Sequence, residues 1–182
     1  CSYIKNQKFP IVIKADGLAA GKGVIIAYSA QEAESILKQI MTDKIFGSSG
    51  DHVVIEEFLE GQEISILTVC DGSSYQILCP AQDHKQAYDG DKGPNTGGMG
   101  AYSPVPFAGI ELLESIKSKI LTPALKGFQK ENILYTGILY AGLMITPKGP
   151  KVIEFNCRMG DPETQAVLPL LKTDFTDLIS AA

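Results

Sequence analysis

A glycine-rich, lysine-bearing loop between two short apolar runs constrains this chain more than any other feature. The loop Lys14–Gly23 follows Phe9–Ile13 and precedes Val24–Tyr28, and the β-branched residues on both sides predict two strands. Glycines let a backbone approach an anion and turn its N–H groups toward it, and the ammonium groups of Lys14 and Lys22 can neutralise phosphates. The pattern predicts a phosphate-binding β-hairpin; the alternative is a glycine-rich turn with a surface lysine.

Other phosphate-binding loops do not fit this stretch. A Walker A loop places Ser or Thr after its Gly-Lys pair and then enters a helix, whereas here Gly23 follows Lys22 and a predicted strand comes next. A dinucleotide-binding fingerprint has a third glycine and opens a helix, and the stretch Gly21–Ile26 has neither. A protein kinase has a glycine-rich hairpin, but this chain lacks the His-Arg-Asp and Asp-Phe-Gly motifs.

The size and charge of the chain narrow the classes of function. Its 182 residues are enough for one domain or two joined lobes. A net charge of −5 argues against a broad nucleic-acid or membrane surface, and no apolar run approaches the about 20 residues that span a bilayer. The start of the chain has no signal-peptide pattern. The cysteines lack CxxC spacing, which predicts reduced thiols in a cytoplasmic protein.

The periodicity of the remaining sequence predicts an α+β protein with mainly antiparallel sheets. Ser29 and Glu32 form a capping-box pattern, which predicts a helix that stops near 42–44. A second helix is predicted over 110–130, kinked or broken at Pro123. Residues 82–103 read as one long loop without periodicity. Further strands are predicted at 53–58, 63–69, 75–79, 137–145 and 151–155.

Two polar clusters lie on predicted strands. At Ile55–Glu63 a strand runs into a turn, where backbone groups can read an adenine edge and acidic side chains can accept from ribose hydroxyls; the alternative is a solvated acidic hairpin. Alternation along 152–158 places Glu154, Asn156 and Arg158 on one face. Carboxylate and amide oxygens suit Mg²⁺, and the arginine can hold an anion with two hydrogen bonds. The alternative is an edge strand with a polar face.

A third cluster lies in the long loop. Four glycines within Gly93–Tyr102 allow close approach to a ligand, and Lys85 and Asn95 can bind a phosphate or a sugar. His84 can serve as a general base or as a structural residue. Asp161, after the last strand, can cap a short helix.

These clusters, in this order, resemble the ATP-grasp fold and, within it, the phosphoribosylamine–glycine ligase family. The resemblance covers nearly the whole chain and rests on the motifs Lys14–Val24, Gln82–Lys85, Gly93–Pro104 and Glu154–Gln165. It implies two α+β lobes that hold ATP between them. It also implies that glycine attacks the γ-phosphate to form glycyl phosphate, and that 5-phosphoribosylamine then displaces phosphate to give glycinamide ribonucleotide in de novo purine biosynthesis.

The resemblance assigns roles by position. It implies that magnesium, or manganese in its place, is held by Glu154 and Asn156, and that the catalytic residues are Arg158 and Lys22. The strand before Glu154 carries no acidic residue, although many ATP-grasp enzymes place another metal ligand there. The ATP-binding residues it implies are Lys14, Gly21, Lys22, Gly23, Glu56, Leu59 and Glu63. The substrate-binding residues it implies are Asp83, Lys85, Asn95, Thr96, Gly97, Asp161, Glu163 and Thr164.

The expected organisation is a small lobe at 1–59 with the phosphate hairpin and a larger lobe at 60–182 with the metal and substrate residues. The family also has an N-terminal and a C-terminal domain, so we expect this chain to be the central region of a longer enzyme, inactive alone. Fusion to other purine-pathway enzymes is left open. The alternatives are another ATP-grasp ligase or carboxylase, and a non-catalytic nucleotide-binding domain.

Overall fold

The computed structural model describes residues 2–19, 23–90, 92–96 and 98–182. The chain divides into two compact units, Cys1–Leu59 and Glu60–Ala182. Every strand pairing that the structure describes is antiparallel, and helices pack against the sheets. The predicted α+β class is therefore confirmed. None of the helices in the described ranges combines the length and apolar character needed to cross a membrane.

The first unit is a three-stranded sheet with one helix. The strands are β1 (Ile11–Ala15), β2 (Val24–Ala27) and β3 (Val53–Glu57). The sheet has the order β2-β1-β3, and the core lies on the face where the β-branched residues of β1 alternate inward. The helix is α1 (Ala30–Leu37), continued by a π-helical turn at Lys38–Thr42, and 3₁₀ turns lie at Ile4–Asn6 and Gly47–Gly50. The buried core residues are Ile4, Ile11, Ile13, Ala27, Ala33 and Ile40.

The start of α1 has the predicted capping arrangement. The Ser29 hydroxyl accepts from the Glu32 N–H at 3.2 Å. The Glu32 carboxylate reaches back one residue further than a standard capping box and accepts from the Tyr28 N–H at 2.6 Å. Two N–H groups at the helix start are thereby satisfied, and the helical path ends at Thr42 as predicted.

The second unit is built on a four-stranded sheet, whose strands are β4 (Gln62–Asp71), β5 (Tyr75–Ile77), β10 (Thr136–Thr146) and β11 (Gly149–Asn156). Their order in the sheet is β11-β10-β4-β5. Two small pairs, β6 with β9 and β7 with β8, are formed by β6 (Gln82–Asp83), β7 (Gln86–Tyr88), β8 (Lys92–Asn95) and β9 (Ala101–Tyr102). The helices are α2 (Ile110–Ile116), α3 (Thr122–Lys130), α4 (Glu163–Val167) and α5 (Phe175–Ser180).

Strand β4 is buried on both faces, because Ile64–Cys70 are all covered. On one face, Ile64 and Ile66 pack with helix residues such as Ile116 and Leu121. On the other, Leu67 packs with Tyr140, Val167 and other buried residues. The second face also carries most of the polar residues described below, so the core of this unit directly supports them.

Two predictions about local structure need revision. Residues 82–103 contain the four short strands β6–β9, because pairs of residues far apart in the stretch close small antiparallel ladders. The predicted helix over 110–130 is helical throughout, but its middle, Lys117–Leu121, is a π-helical turn. Pro123 then lies in the first turn of α3, where a missing N–H is tolerated.

Candidate functional site

The predicted phosphate loop connects β1 and β2 in the first unit. Lys14 lies opposite Val24 in the register, and the Ala15 N–H donates to the Gly23 carbonyl at 2.8 Å, so the loop closes at this pair. A Cβ at Gly23 would lie 2.7 Å from the Cβ of Ala19, closer than two such atoms can approach. The end of the loop therefore requires glycine. The predicted loop residues that lie outside the described part of the chain are Ala20, Gly21 and Lys22.

The turn Gly47–Gly50 fastens the beginning of the same loop. The Gly17 N–H donates to the Ser49 carbonyl at 3.0 Å, and the Ser49 hydroxyl donates to the Leu18 carbonyl at 2.7 Å. A Cβ at Gly17 would lie 2.6 Å from the Cα of Ser49. Both glycines are thus explained by close packing of the loop.

An ion pair lies on the face of this sheet that points away from the core. The Lys14 ammonium is 2.6 Å from the Glu56 carboxylate, and strand alternation puts both residues opposite the buried Ile11 and Ile13. The half-buried Leu59 follows β3. The same face exposes the apolar side chains of Val24, Ile26 and Val54. The first unit therefore offers charge and apolar surface side by side.

In the second unit, three adjacent strands align small and polar residues on one face. Ser65 of β4 lies opposite Gly142 of β10, and Gly142 lies opposite Glu154 of β11. Two residues along, Tyr140 of β10 lies opposite Asn156 of β11. Glu154 and Asn156 therefore share a face, as the alternation predicts. A Cβ at Gly142 would lie 3.3 Å from Glu154 Cγ and 3.4 Å from Tyr140 Cε1, so the glycine leaves room for both side chains.

The donor atoms of Glu154 and Asn156 fit a hard divalent cation. The Asn156 amide nitrogen donates to Glu154 Oε1 at 3.2 Å, so the two side chains already lie together. A carboxylate and an amide oxygen are ligands that Mg²⁺ accepts, and it commonly completes its shell with water and substrate phosphates. Within the described ranges, no group of three or more His, Cys, Asp or Glu side chains is arranged to hold a metal ion.

Arg158 does not continue this row. The alternation was expected to place it on the face of Glu154 and Asn156, but β11 ends at Asn156 and the chain bends there. The expectation of a shared strand face is wrong for this residue. The exposed guanidinium donates to the Met159 carbonyl at 2.9 Å.

Lys85 lies among several carboxylates of the second unit. Its ammonium is 3.2 Å from the Glu63 carboxylate. Burial lowers the pKa of Lys85, but the charges of Glu63, Glu154 and Asp83 outweigh burial and leave the pKa raised. The lysine therefore stays charged. Its positive charge offsets the negative charges of Glu63, the predicted ribose contact, and Glu154, the predicted metal ligand, which lie on different strands.

Asp83 is a buried carboxyl with one oxygen left over. Its side chain belongs to a residue only 9% exposed, and its Oδ1 has no hydrogen-bond partner in the part of the chain that the structure describes. Burial, and then the nearby charge of Glu163, raise the pKa of Asp83. A Cβ at Gly98 would lie 3.0 Å from this Oδ1 and 2.8 Å from Pro162 Cδ, so the glycine-rich loop passes close to the carboxyl.

The other predicted substrate residues differ in their surroundings. Asp161 is exposed and accepts from the Gln165 amide at 2.8 Å. Glu163 is 3% exposed and takes part in a buried cluster. The Thr164 hydroxyl donates to the Gly160 carbonyl.

The glycine-rich loop forms hydrogen bonds within itself and to the backbone of Lys85. The Thr96 hydroxyl donates to the Lys85 carbonyl at 2.8 Å and accepts from the Gly98 N–H at 3.1 Å. The His84 ring stacks on Tyr102 at 5.7 Å, which favours the structural interpretation of this histidine. The backbone of Asn95 pairs with β7. Outside the described part of the chain lie the Asn95 side chain and Gly97.

Sequence reasoning missed Ser65, Tyr140 and Gly142. Each interrupts a run of apolar residues in a strand with a hydroxyl or with no side chain. A polar or missing side chain inside a fully buried strand was the available signal, because buried hydroxyls need partners.

Comparison with known proteins gives a consistent family. The sequence-family model of the phosphoribosylglycinamide synthetase ATP-grasp (A) domain matches residues 1–164. A phosphoribosylamine–glycine ligase of Leptospira interrogans is 58% identical over 181 residues, which are 99% of this chain and 42% of that protein. The trifunctional purine biosynthetic protein adenosine-3 of Gallus gallus is 55% identical over 182 residues, 100% of this chain and 18% of that protein.

A solved structure supports the same fold. The phosphoribosylamine–glycine ligase of Thermotoga maritima has a TM-score of 0.79 and 40% identity, over 98% of this chain and 45% of that one. The predicted ATP-grasp fold is therefore confirmed. The chain spans less than half the length of these relatives.

Proposed function

Because the chain belongs to the phosphoribosylglycinamide synthetase ATP-grasp family, we propose that it forms the nucleotide-binding part of a phosphoribosylamine–glycine ligase. The reaction joins glycine to 5-phosphoribosylamine and yields glycinamide ribonucleotide, ADP and phosphate in purine biosynthesis. The observation that carries the proposal is the polar face of the second unit, where Glu154 and Asn156 lie side by side. Lys85 forms an ion pair with Glu63 and is also close enough to Glu154 for that charge to raise the lysine pKa. Such a face suits a metal-bound polyphosphate.

ATP binding is assigned to both units, which we take as the two lobes 1–59 and 60–182. Lys14 and Lys22 would hold the triphosphate under the backbone of Gly21–Gly23, and the backbone of Glu56 and Leu59 would meet adenine. The Lys14 ion pair supports this assignment, because it brings the ammonium to Glu56, whose backbone would meet adenine. Glu63 would accept from ribose hydroxyls, with Lys85 holding its other oxygen.

Glu154 and Asn156 would hold magnesium, or manganese in its place. When bound, the metal neutralises charge on the β- and γ-phosphates and polarises the bond that breaks. The chain's own contribution is to hold two oxygens on one strand face, beside the space that Gly142 leaves. The two residues would thereby help to orient the γ-phosphate for attack.

The reaction proceeds in two balanced steps. A carboxylate oxygen of glycine attacks the γ-phosphorus, the bond to ADP breaks, and glycyl phosphate forms. The neutral amine of phosphoribosylamine then attacks the glycyl carbonyl, phosphate leaves, and the nitrogen loses one proton. Arg158 and Lys22 would stabilise the negative charge that concentrates on the transferred phosphoryl group, since preorganised cations act most strongly on developing charge.

Asp83 would contact a substrate amine. Its buried Oδ1 is an acceptor without a partner in the described ranges, and an N–H donor of the substrate would satisfy it. Lys85 would add a positive charge for the carboxylate or phosphate of a substrate. The remaining predicted substrate residues are Asn95, Thr96, Gly97, Asp161 and Thr164.

The proposal extends to the arrangement and the location of the full-length protein. The Gallus gallus relative is trifunctional by name, which supports fusion to other purine-pathway enzymes. The described cysteines Cys70, Cys79 and Cys157 are free thiols, and this supports a cytoplasmic location.

The test is an assay of the full-length protein with Mg²⁺, ATP, glycine and freshly prepared 5-phosphoribosylamine. Mass spectrometry should detect glycinamide ribonucleotide in equal amount to ADP, and omission of either substrate should abolish the product. ADP release with bicarbonate or another amino acid instead of glycine would favour a different ATP-grasp enzyme. ATP binding without any ADP release would favour a non-catalytic nucleotide-binding domain.

A further inference from the structure

Three buried side chains of the second unit meet at one point. Glu163 Oε1 accepts from the Tyr140 hydroxyl at 2.7 Å and from the Ser65 hydroxyl at 2.9 Å, and the two hydroxyl oxygens are 2.8 Å apart. The three residues are 3%, 4% and 5% exposed. They are separated by up to 98 positions in sequence and come from β4, β10 and the first residue of α4. The cluster therefore joins three elements.

This cluster lies directly beside the predicted metal pair. Tyr140 is the register partner of Asn156, and Ser65 is two strands away from Glu154 with only Gly142 between them. The Tyr140 ring and the Glu154 side chain both border the space above Gly142. A change in the position of the Tyr140 ring would therefore shift the side chain of Glu154 or Asn156.

The surroundings of Glu163 leave little room for a ligand. Glu163 Oε1 already accepts two hydrogen bonds, from the hydroxyls of Ser65 and Tyr140. The other faces Gly160, where a Cβ would lie 2.4 Å from Oε2. The carboxylate thus anchors the start of α4, and with it the bend 157–162 that carries Arg158, to the sheet.

We propose that Glu163 is a positioning residue which, through Tyr140 and Ser65, fixes the strand face that holds Glu154 and Asn156, and that it does not contact a substrate. The inference rests on the proposed function, since it takes Glu154 and Asn156 as the metal pair. Groups that orient metal ligands commonly change metal affinity by about 10–100-fold when they are lost.

The test measures binding of Mg·ATP to the full-length protein by calorimetry, with turnover as a separate readout. We expect Tyr140→Phe and Glu163→Leu each to raise the Mg²⁺ concentration for half-maximal ATP binding by about 10-fold, with the KM for glycine unchanged within about twofold. Glu163→Gln keeps an oxygen that can accept both hydroxyls, so it should bind nearly as the wild type does. The double variant Tyr140→Phe/Glu163→Leu should bind Mg·ATP no more weakly than Glu163→Leu alone, because both changes break the same cluster.

Thr68→Val is the matched control. Thr68 is 1% exposed, and its hydroxyl donates to the Leu139 carbonyl at 2.8 Å, so it joins the same two strands on the opposite face. It should lose stability as Tyr140→Phe does, yet keep the Mg²⁺ dependence. If Glu163→Leu does not fold, Tyr140→Phe and Ser65→Ala carry the test.

Three results would overturn the proposal: an equal shift in Thr68→Val, an unchanged Mg²⁺ dependence in Tyr140→Phe, or a raised glycine KM in Glu163→Gln. A wild-type protein that binds Mg·ATP but makes no glycinamide ribonucleotide would contradict the proposed function instead. The binding measurement would still decide the role of Glu163.

Discussion

At the scale of single residues, burial separates three carboxyls that the sequence presents alike. Glu154 is exposed beside Asn156, whereas Glu163 is buried with two hydroxyl partners and Asp83 is buried with one oxygen unpaired. An exposed carboxylate is free to exchange water for a ligand at little cost, and a buried one must keep the partners it has. Substitutions at these residues should therefore have different consequences.

Glu154→Gln should lower turnover far more than stability. The change removes the charge that would bind the metal at the β- and γ-phosphates, so we expect kcat to fall about 10²-fold while the free energy of unfolding changes by about 0.5 kcal/mol or less. Steady-state kinetics at several Mg²⁺ concentrations, with thermal melts, would measure both. A normal rate with unchanged Mg²⁺ dependence would show that Glu154 is a polar strand residue only.

Arg158→Lys should lower kcat by roughly 10²–10³-fold and weaken ATP binding much less. Lysine keeps the charge but loses the planar fork that holds a phosphoryl group with two hydrogen bonds. Kinetics with ATP and glycine varied separately would separate the two effects. A raised KM for ATP with kcat unchanged would assign Arg158 to uniform nucleotide binding.

Asp83→Asn should stabilise the full-length protein at neutral pH and reduce its turnover. The pKa of Asp83 is raised above its ordinary value of 3.8, so the folded protein holds this proton more tightly than the unfolded chain does. The carboxyl therefore favours folding below about pH 4 and opposes it as the pH rises through the raised pKa. We expect a melting temperature higher by a few degrees at pH 7 and no advantage near pH 3.5. An advantage that grows as the pH falls would contradict the assignment.

At the scale of elements, the phosphate hairpin depends on glycines that pack against backbone. Gly17→Ala should destabilise the protein by about 1–3 kcal/mol, because the new Cβ would lie 2.6 Å from the Cα of Ser49. Gly127→Ala in α3 is the matched control: nothing lies within 4 Å of its Cβ position, so helix propensity should make it stabilising by about 0.5–1 kcal/mol. Denaturant titration of both variants would measure the difference. Equal effects would mean that the loop can move away from Ser49.

At the scale of the whole molecule, this chain matches only part of its relatives, and that share limits the activity we expect of it alone. The family model matches residues 1–164, and the chain spans 42% of the Leptospira interrogans relative. We expect a polypeptide of residues 1–182 to bind Mg·ATP weakly and to make no product. Calorimetry and a product assay on a folded sample would check this. Absence of ATP binding would contradict the first half of the prediction, and steady turnover the second.

The sequence by itself determined the features that depend on neighbouring residues. The glycine-rich loop between β-branched runs defined the β1–β2 hairpin, and period-two alternation put Glu154 and Asn156 on one face. Ser29 and Glu32 marked the start of α1 in the same way. These signals are local, because caps and strand faces are set within a few residues.

Only the tertiary structure decided which distant residues meet. The sheet order β11-β10-β4-β5 brings Ser65 and Tyr140 together, and Glu163 joins them from α4, although no local pattern links the three residues. The tertiary structure also gives Lys85 its carboxylate neighbours and leaves Asp83 with an unpaired oxygen in the described ranges. Arg158 left the predicted face because the strand ended at Asn156, and strand ends depend on pairing with a neighbour. Long-range pairing follows from burial of the whole sheet, and the sequence of one strand does not contain that information.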